Sequence, residues 1–316
     1  MSNTPFAYQP ALSAISVSYT NPTINFVADR LLPRTTPIAT KDFSYVVHPK
    51  DEAFNVPITL VGRAGNTQMV DFTSGKVNTT HEDYGLETPF YRVDELSSTD
   101  FNIRAKGVER LTKLMLLARE VRVVNTFTDT ATYAAGYSAA LTGTAQWSDY
   151  VNSDPVLAIK LIKDTFIGFE PNKFWMTKPV WTVLSMHPKI VNAVRGVVAN
   201  SGMITREQFA ALIEVDEVIV VNTWRNTAAP GLTPVYARLA GKNAGMFYQD
   251  TSADQNGGTT FGYTSQWGQS GGIRQALEYF DVKQGVRGAD VVRIMEPLRE
   301  LIIAGDLGYL WQTAVA

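Results

Sequence analysis

No cysteine occurs among the 316 residues. Disulfide frameworks, thiolate nucleophiles and Cys-ligated zinc or iron–sulfur sites are therefore excluded. Charge is scarce as well: charged residues make up 18% of the chain, against about 25% in soluble globular proteins, while the 45% hydrophobic content is ordinary. Such a surface points to partial burial by partners. Neither sign of charge dominates, with Lys+Arg 28 against Asp+Glu 30. That balance argues against a protein whose affinity comes from neutralising many phosphates, and leaves only weak, non-specific contact with nucleic acid. No apolar run approaches the ~20 residues that span a bilayer, and the N-terminus lacks the basic and apolar regions of a leader. The expectation is a soluble chain with no membrane partner.

What is present falls into five stretches. Residues 1–40 carry Pro5, Pro10, Pro22, Pro33 and Pro37, which forbid continuous helix and favour extended backbone. Phe26, Val27, Leu31 and Leu32 recur among them, so this arm should pack on something. From Lys41 to about Tyr91 strand signals dominate: FSYVVH, VPITLVG, TQMVDF and SGKVNTTHEDYGL, separated by Gly, Asn, Pro and Asp. A ribbon of this kind is marginal in water because it covers neither its faces nor its edges.

Helical spacing then takes over, with Phe101, Ala105, Val108, Leu111, Leu114, Met115, Ala118 and Val121 three and four apart. Ser98 or Thr99 is positioned to cap this helix, and Asp100 to complement its dipole. Gly107 inside it costs about 1 kcal/mol that packing must offset. An α/β stretch follows: Asp154-Pro155 opens a helix, KFWM is a strand, Thr205 with Gln208 forms a capping box, and VDEVIVVN is a buried strand. The chain ends in LEYFDVK, DVVRIME, LRELIIAG and GYLWQTAV, read as separate strands punctuated by Pro297 and Gly305. The order is α+β, without βαβ alternation or a repeat array.

No active site assembles. WGQSGG (267–272) contains a G-x-S-x-G, yet the three histidines, His48, His81 and His187, all precede Ser270, whereas an α/β-hydrolase places its histidine after the serine. In the chymotrypsin order Gln269 stands in the acidic place of the motif. Its glycines read as a turn that lets the chain reverse. His81-Glu82 begins an H-E-x-x-H, but Gly85 replaces the second ligand, so His81 reads as a solvated loop residue. Ser74-Gly75-Lys76 resembles the end of a phosphate loop without its first glycine and reads as a turn. Glu82, Asp83 and Glu87 suggest intersubunit ion pairs or a solvated edge rather than a calcium site. Trp175, Trp181 and Trp224 read as core or interface aromatics. The expectation is no enzyme, no cofactor and no metal.

The stretches FVADRLLPRTTP, VGRAGNTQMVDFTSGKVNTTHEDYGLETP, LTKLMLLAREVRVVNTF, SDPVLAIKLIKDTF, FWMTKPVWTVLSMHPKIVNAVR and MITREQFAALIEVDEVIVVNTWRNT resemble the major capsid proteins of tailed bacteriophages, whose fold also forms the floor of herpesvirus shells. The resemblance implies an N-terminal arm and first P-domain strand over 1–46, an extended β E-loop over 47–86, a P-domain over 87–149 with a long spine helix at about 98–127, an A-domain over 150–272, and P-domain return strands over 273–316. It implies a structural protein that assembles with itself into hexamers, pentamers and an icosahedral shell around a phage genome. Partners would be a separate scaffolding protein, a portal protein, decoration proteins and packaged double-stranded DNA in non-specific contact. The place would be the virion, assembled in the host cytoplasm. Intersubunit contacts would fall on Arg63, Asn66, Met69, Phe72, Lys76, Glu82 and Asp83, and Lys76 is the E-loop lysine that some relatives cross-link. On this reading WGQSGG marks the passage from A-domain to P-domain sheet. The alternatives are an encapsulin-type compartment of the same fold and, more distantly, a serine hydrolase built on Ser270.

Overall fold

The computed structural model describes residues 7–8, 26–47, 50–63, 65–71, 73–91, 103–196, 202–229, 231–255, 257–268 and 274–316. In chain order the elements that matter here are β1 (Ala7–Tyr8), α1 (Ala28–Leu31), β2 (Asp42–Val47), α2 (Lys50–Phe54), β3 (Gly75–Thr80), β4 (Glu82–Tyr91) and the long helix α3 (Ile103–Thr128). There follow β5 (Ser138–Ala140), α4 (Pro155–Lys163), β6 (Lys173–Thr177), α5 (Lys178–Leu184), α6 (Pro188–Arg195), α7 (Arg206–Ile213), β7 (Glu217–Val221), β8 (Trp224–Asn226) and β9 (Tyr236–Arg238). The last strands are β10 (Ala244–Phe247), β11 (Gly262–Gln266), β12 (Gln275–Asp281), β13 (Ala289–Ile302) and β14 (Gly308–Gln312).

Two five-stranded sheets carry the fold. In the first, β13 is the central strand: β4 pairs one edge from Ala289 to Leu298, while β12 and β11 lie end to end along the other. DVVRIME and LRELIIAG are therefore one strand, running through Pro297. The Pro297 carbonyl accepts the Trp267 amide at 3.3 Å, so the missing proline N–H faces the same edge, at the interruption between β12 and β11, where no ladder bond is lost. Because β11 and β12 are both antiparallel to β13 on that edge, the chain has the same direction on either side of WGQSGG, and both flanks belong to one sheet; the reversal expected there does not occur. Ser270 itself lies outside the described residues.

The second sheet has the order β5-β14-β10-β6-β7, so GYLWQTAV returns to the α/β block. Strands β14, β10, β6 and β7 are buried on both faces, and their alternate side chains sort between two cores. Phe174, Met176, Val218 and Val220 pack with Trp147, Trp181, Leu184, Ile190, Phe209 and Ile213 under α4 to α7. Trp175, Ile219 and Val221 face the other way, onto Val123, Val124 and Phe127 of α3 and onto Val27, Leu31 and Leu32. The caps expected at Asp154 and at Thr205 with Gln208 are formed.

Helix α3 is long because it serves both sheets. Its 26 residues at about 1.5 Å each span nearly 40 Å. Val108, Leu111 and Met115 in its first half pack on Phe90, Ala276, Val292 and Ile294 of the first sheet, and its last turns pack on the second. The expected apolar stripe is only partly right: Leu114 and Ala118 are exposed, while Thr112, Arg119 and Glu120 are buried. Positions 98–102, where the caps were expected, lie outside the described residues.

Candidate intersubunit surface

Strands β2 and β3 form an antiparallel ribbon of their own, from the pair Asp42–Thr80 to the pair Val47–Gly75. VPITLVG and the described part of TQMVDF, residues 67–71, expected as strands, are in no strand; a strand needs a neighbour for its backbone, and none pairs with them among the described residues. Beyond the ribbon this stretch presents apolar side chains to solvent, with Val56 93%, Leu60 88% and Met69 98% exposed. Scattered exposed apolar residues are normal, but Val56, Ile58, Leu60, Val61, Met69 and Val70 share one excursion. Glu52 of α2 accepts the Thr73 amide at 3.0 Å, closing the base of this tip. Lys50 pairs with Asp306, and Phe54 approaches Gly168, beside a cavity of about 560 Å³ lined by Val47, Phe54, Ile167, Phe169, Ile303 and Leu307.

The expected contact residues divide into two groups. Arg63, Asn66 and Met69 are exposed on the tip, and Lys76 is exposed on β3 opposite Val46. Glu82 and Asp83 have partners in their own chain: Glu82 pairs with Arg299 and accepts the Tyr84 hydroxyl at 2.5 Å, and Asp83 meets Lys41 at 2.6 Å. Glu87 meets Arg293 at 2.7 Å. Phe72 lies outside the described residues. Among those residues no group of acidic and histidine side chains is arranged to hold a metal ion, and no helix is long and apolar enough to cross a membrane.

His81 is not solvated. It is 1% exposed, with Nδ1 2.7 Å from the Lys41 carbonyl and Nε2 2.9 Å from Ser265 Oγ. Burial lowers its pKa, which keeps the ring neutral.

A second polar centre, missed in the sequence, ties the N-terminal segment down. Arg119 binds Asp29, the Leu32 carbonyl at 3.2 Å and Thr264 Oγ1 at 3.1 Å. Arg34 binds Asp29 at 2.9 Å and also Glu296, whose carboxylate takes Arg274 at 3.2 Å. Burial pushes the Asp29 and Glu296 carboxyls up, but the facing arginines win and hold both below the usual range. Residues 33–38 then run along the outer edge of β11, with Thr264 donating its amide to Pro33 O at 2.8 Å and Ile38 to Gln266 O at 2.8 Å. The signal that would have found this centre is the charge of Arg119 and Glu120 within an otherwise apolar helical stripe.

No family model matches this sequence. It is 37% identical, over the whole of both chains, to the major capsid protein of Pseudomonas phage JBD67. Its fold resembles a phage-related protein of Bordetella bronchiseptica RB50 with a TM-score of 0.73 and 21% identity, covering 98% of each chain. It also resembles the capsid structure of cyanophage P-SCSP1u with a TM-score of 0.58 and 9% identity, covering 89% of this chain and 86% of the other. An encapsulin shares the fold too, so the full-length sequence identity, not the fold, separates the two kinds of shell.

Proposed function

The chain belongs to the phage major capsid proteins, a structural shell component of the virion and not an enzyme, and from that premise we propose that residues 47–86 are the E-loop through which one subunit lies across the next. The observation that carries this reading is the apolar tip, with Val56, Leu60 and Met69 almost fully exposed. Burying one such side chain contributes about 1.5–3 kcal/mol before ordering costs. An exposed apolar excursion on a two-stranded ribbon is costly for a solitary subunit and useful to one that meets copies of itself.

In this reading α3 is the spine helix of a P-domain built on the first sheet, and the A-domain is the block around the second. The sheet pairing supports moving the A-domain's end back from 272 to about 261, because β11 pairs with β13, and giving β14 to the A-domain. Arg63, Asn66, Met69 and Lys76 are the contacts we retain; Phe72 is kept on its sequence position, and Glu82 and Asp83 are reassigned to holding the ribbon's root. Heterologous contacts of this kind close into hexamers and pentamers, and many weak contacts make a shell that is strong collectively while each stays reversible. A separate scaffolding protein, a portal and decoration proteins are the further partners, packaged DNA meets the inner wall without specific contacts, and assembly takes place in the host cytoplasm.

Deleting residues 61–69 tests the reading. The expected product is a folded subunit that forms no particles in negative-stain micrographs. Complete shells from the deletion would overturn the E-loop assignment. Native particles filled with DNA, rather than with a protein cargo, separate the phage shell from an encapsulin compartment.

A further inference from the structure

The ribbon meets the first sheet at a polar joint, next to which Gly268 donates its amide to Ile38 O at 2.8 Å and Trp267 donates Nε1–H to Ala39 O at 3.1 Å. β3 ends at Thr80 and β4 begins at Glu82, so His81 alone separates a ribbon strand from a sheet strand. On the other side Asp42 pairs with Thr80, which makes Lys41 the matching root. The His81 amide donates to Lys41 O at 3.1 Å, and ring Nδ1 lies 2.7 Å from the same oxygen. A carbonyl only accepts, so Nδ1 carries the proton and Nε2 accepts the hydroxyl of Ser265, 2.9 Å away on β11. Ser265 is fully buried, and Phe43 of β2 lies against the imidazole with 4.5 Å between ring centroids. One side chain therefore ties both ribbon strands to a single position on the sheet. Farther out, the ribbon side touches the body through partly exposed groups, Lys50 on Asp306 and Phe54 beside Gly168, and the Lys41–Asp83 pair beside the joint is also exposed. Contacts of that kind hold weakly.

We propose that His81 is the positioning residue of the ribbon, setting the angle at which it leaves the subunit and so the place where its tip meets a neighbouring copy. This rests on the reading of 47–86 as the intersubunit loop. A two-stranded ribbon has little stiffness of its own direction, so a displacement at its root is magnified at its tip, and a shell closes only when every tip arrives in register.

The absence of cysteine makes the test direct. Spin labels on Ser74→Cys and Thr130→Cys, both exposed positions, report the ribbon-to-body distance in dilute, unassembled full-length subunits. The parent should give a narrow distribution. His81→Ala should broaden it and lower shell yield at least tenfold while the unfolding midpoint of the body stays within a few degrees, and His81→Asn, which keeps a donor for the Lys41 carbonyl, should recover part of both. A distribution as narrow as the parent's overturns the proposal whatever the yield. Should His81→Ala fail to fold, Ser265→Ala, which removes one bond of the joint, is read by the same criterion. If the 61–69 deletion still assembles, the E-loop reading fails; if that deletion blocks assembly while His81→Ala assembles normally, the joint proposal alone fails.

Discussion

The carboxylate of Glu120 accepts the backbone amide of Val27 at 2.8 Å, across 93 positions of sequence. The same oxygen takes the Ala28 amide at 2.8 Å, and the other accepts the Thr223 hydroxyl at 3.0 Å. Helix α3, the N-terminal segment and the turn after β7 thus share one buried group. The first residues of α1 have no intrahelical partner for their amides, and Glu120 supplies it from a distant helix. The segment from Val27 to Leu32 is consequently core of its own subunit.

Burial pushes the Glu120 pKa up to about 7, against the hydrogen bonds and Arg119, which favour the anion. An unfolded glutamate titrates near ~4.3. Between these values the native state holds a proton that the unfolded state lacks, so this group's stabilisation is full below the unfolded value and is lost as pH rises through 7, at about 1.4 kcal/mol per pH unit. Asp29 and Glu296, held below the usual carboxylate range by their arginines, act in the opposite sense and lose their contribution as pH falls below that range. Urea unfolding at pH 5 and pH 7.5 should show Glu120→Gln with a flatter pH dependence than the parent over that interval; an equal slope would refute the assignment.

Removing Glu296 leaves Arg34 and Arg274 facing each other in a buried site. Glu296→Ala should cost about 3–5 kcal/mol. Glu214→Ala, which breaks the exposed pair with Lys160 and a longer contact with Lys163, should stay within about 0.5 kcal/mol. Chemical denaturation of the two variants decides whether the buried network, rather than ion pairing in general, fastens the arm.

Gly107 poses a contest between propensity and packing. Alanine in a helix interior is worth about 1 kcal/mol over glycine, but a Cβ at position 107 would come within 2.4 Å of Phe90 Cζ. Overpacking of this kind costs about 1–3 kcal/mol, so Gly107→Ala should lower the thermal midpoint. A raised midpoint would show that Phe90 moves aside freely.

Substituting Val56 and Met69 by serine removes apolar area that is almost fully exposed in the subunit. The unfolding free energy should change by less than about 0.5 kcal/mol, while the concentration at which shells appear, followed by light scattering, should rise severalfold. Ser270→Ala should leave both quantities unchanged.

Much of the local structure was legible. The strand KFWM, the buried strand VDEVIVVN, the capping box at Thr205 and the proline-led helix at Pro155 stand where short-range rules put them, because caps and alternation act within a few residues. Pro297 misled, since whether a proline breaks a strand depends on which edge its missing donor faces. His81 misled for a similar reason: a histidine beside Glu82 looks solvated until Ser265, 184 positions away, is brought against it.

The amino-acid sequence by itself determined most of the helices and strands of the body and the resemblance that the full-length relative bears out. Only the tertiary structure decided which apolar residues are core and which are exposed, since Val27 and Val56 are alike in sequence and opposite in burial. It alone decided, too, that Arg119 and Glu120 belong inside. The physical reason is shared: burial and the pairing of buried charge are set by neighbours far along the chain, and local periodicity carries no record of them.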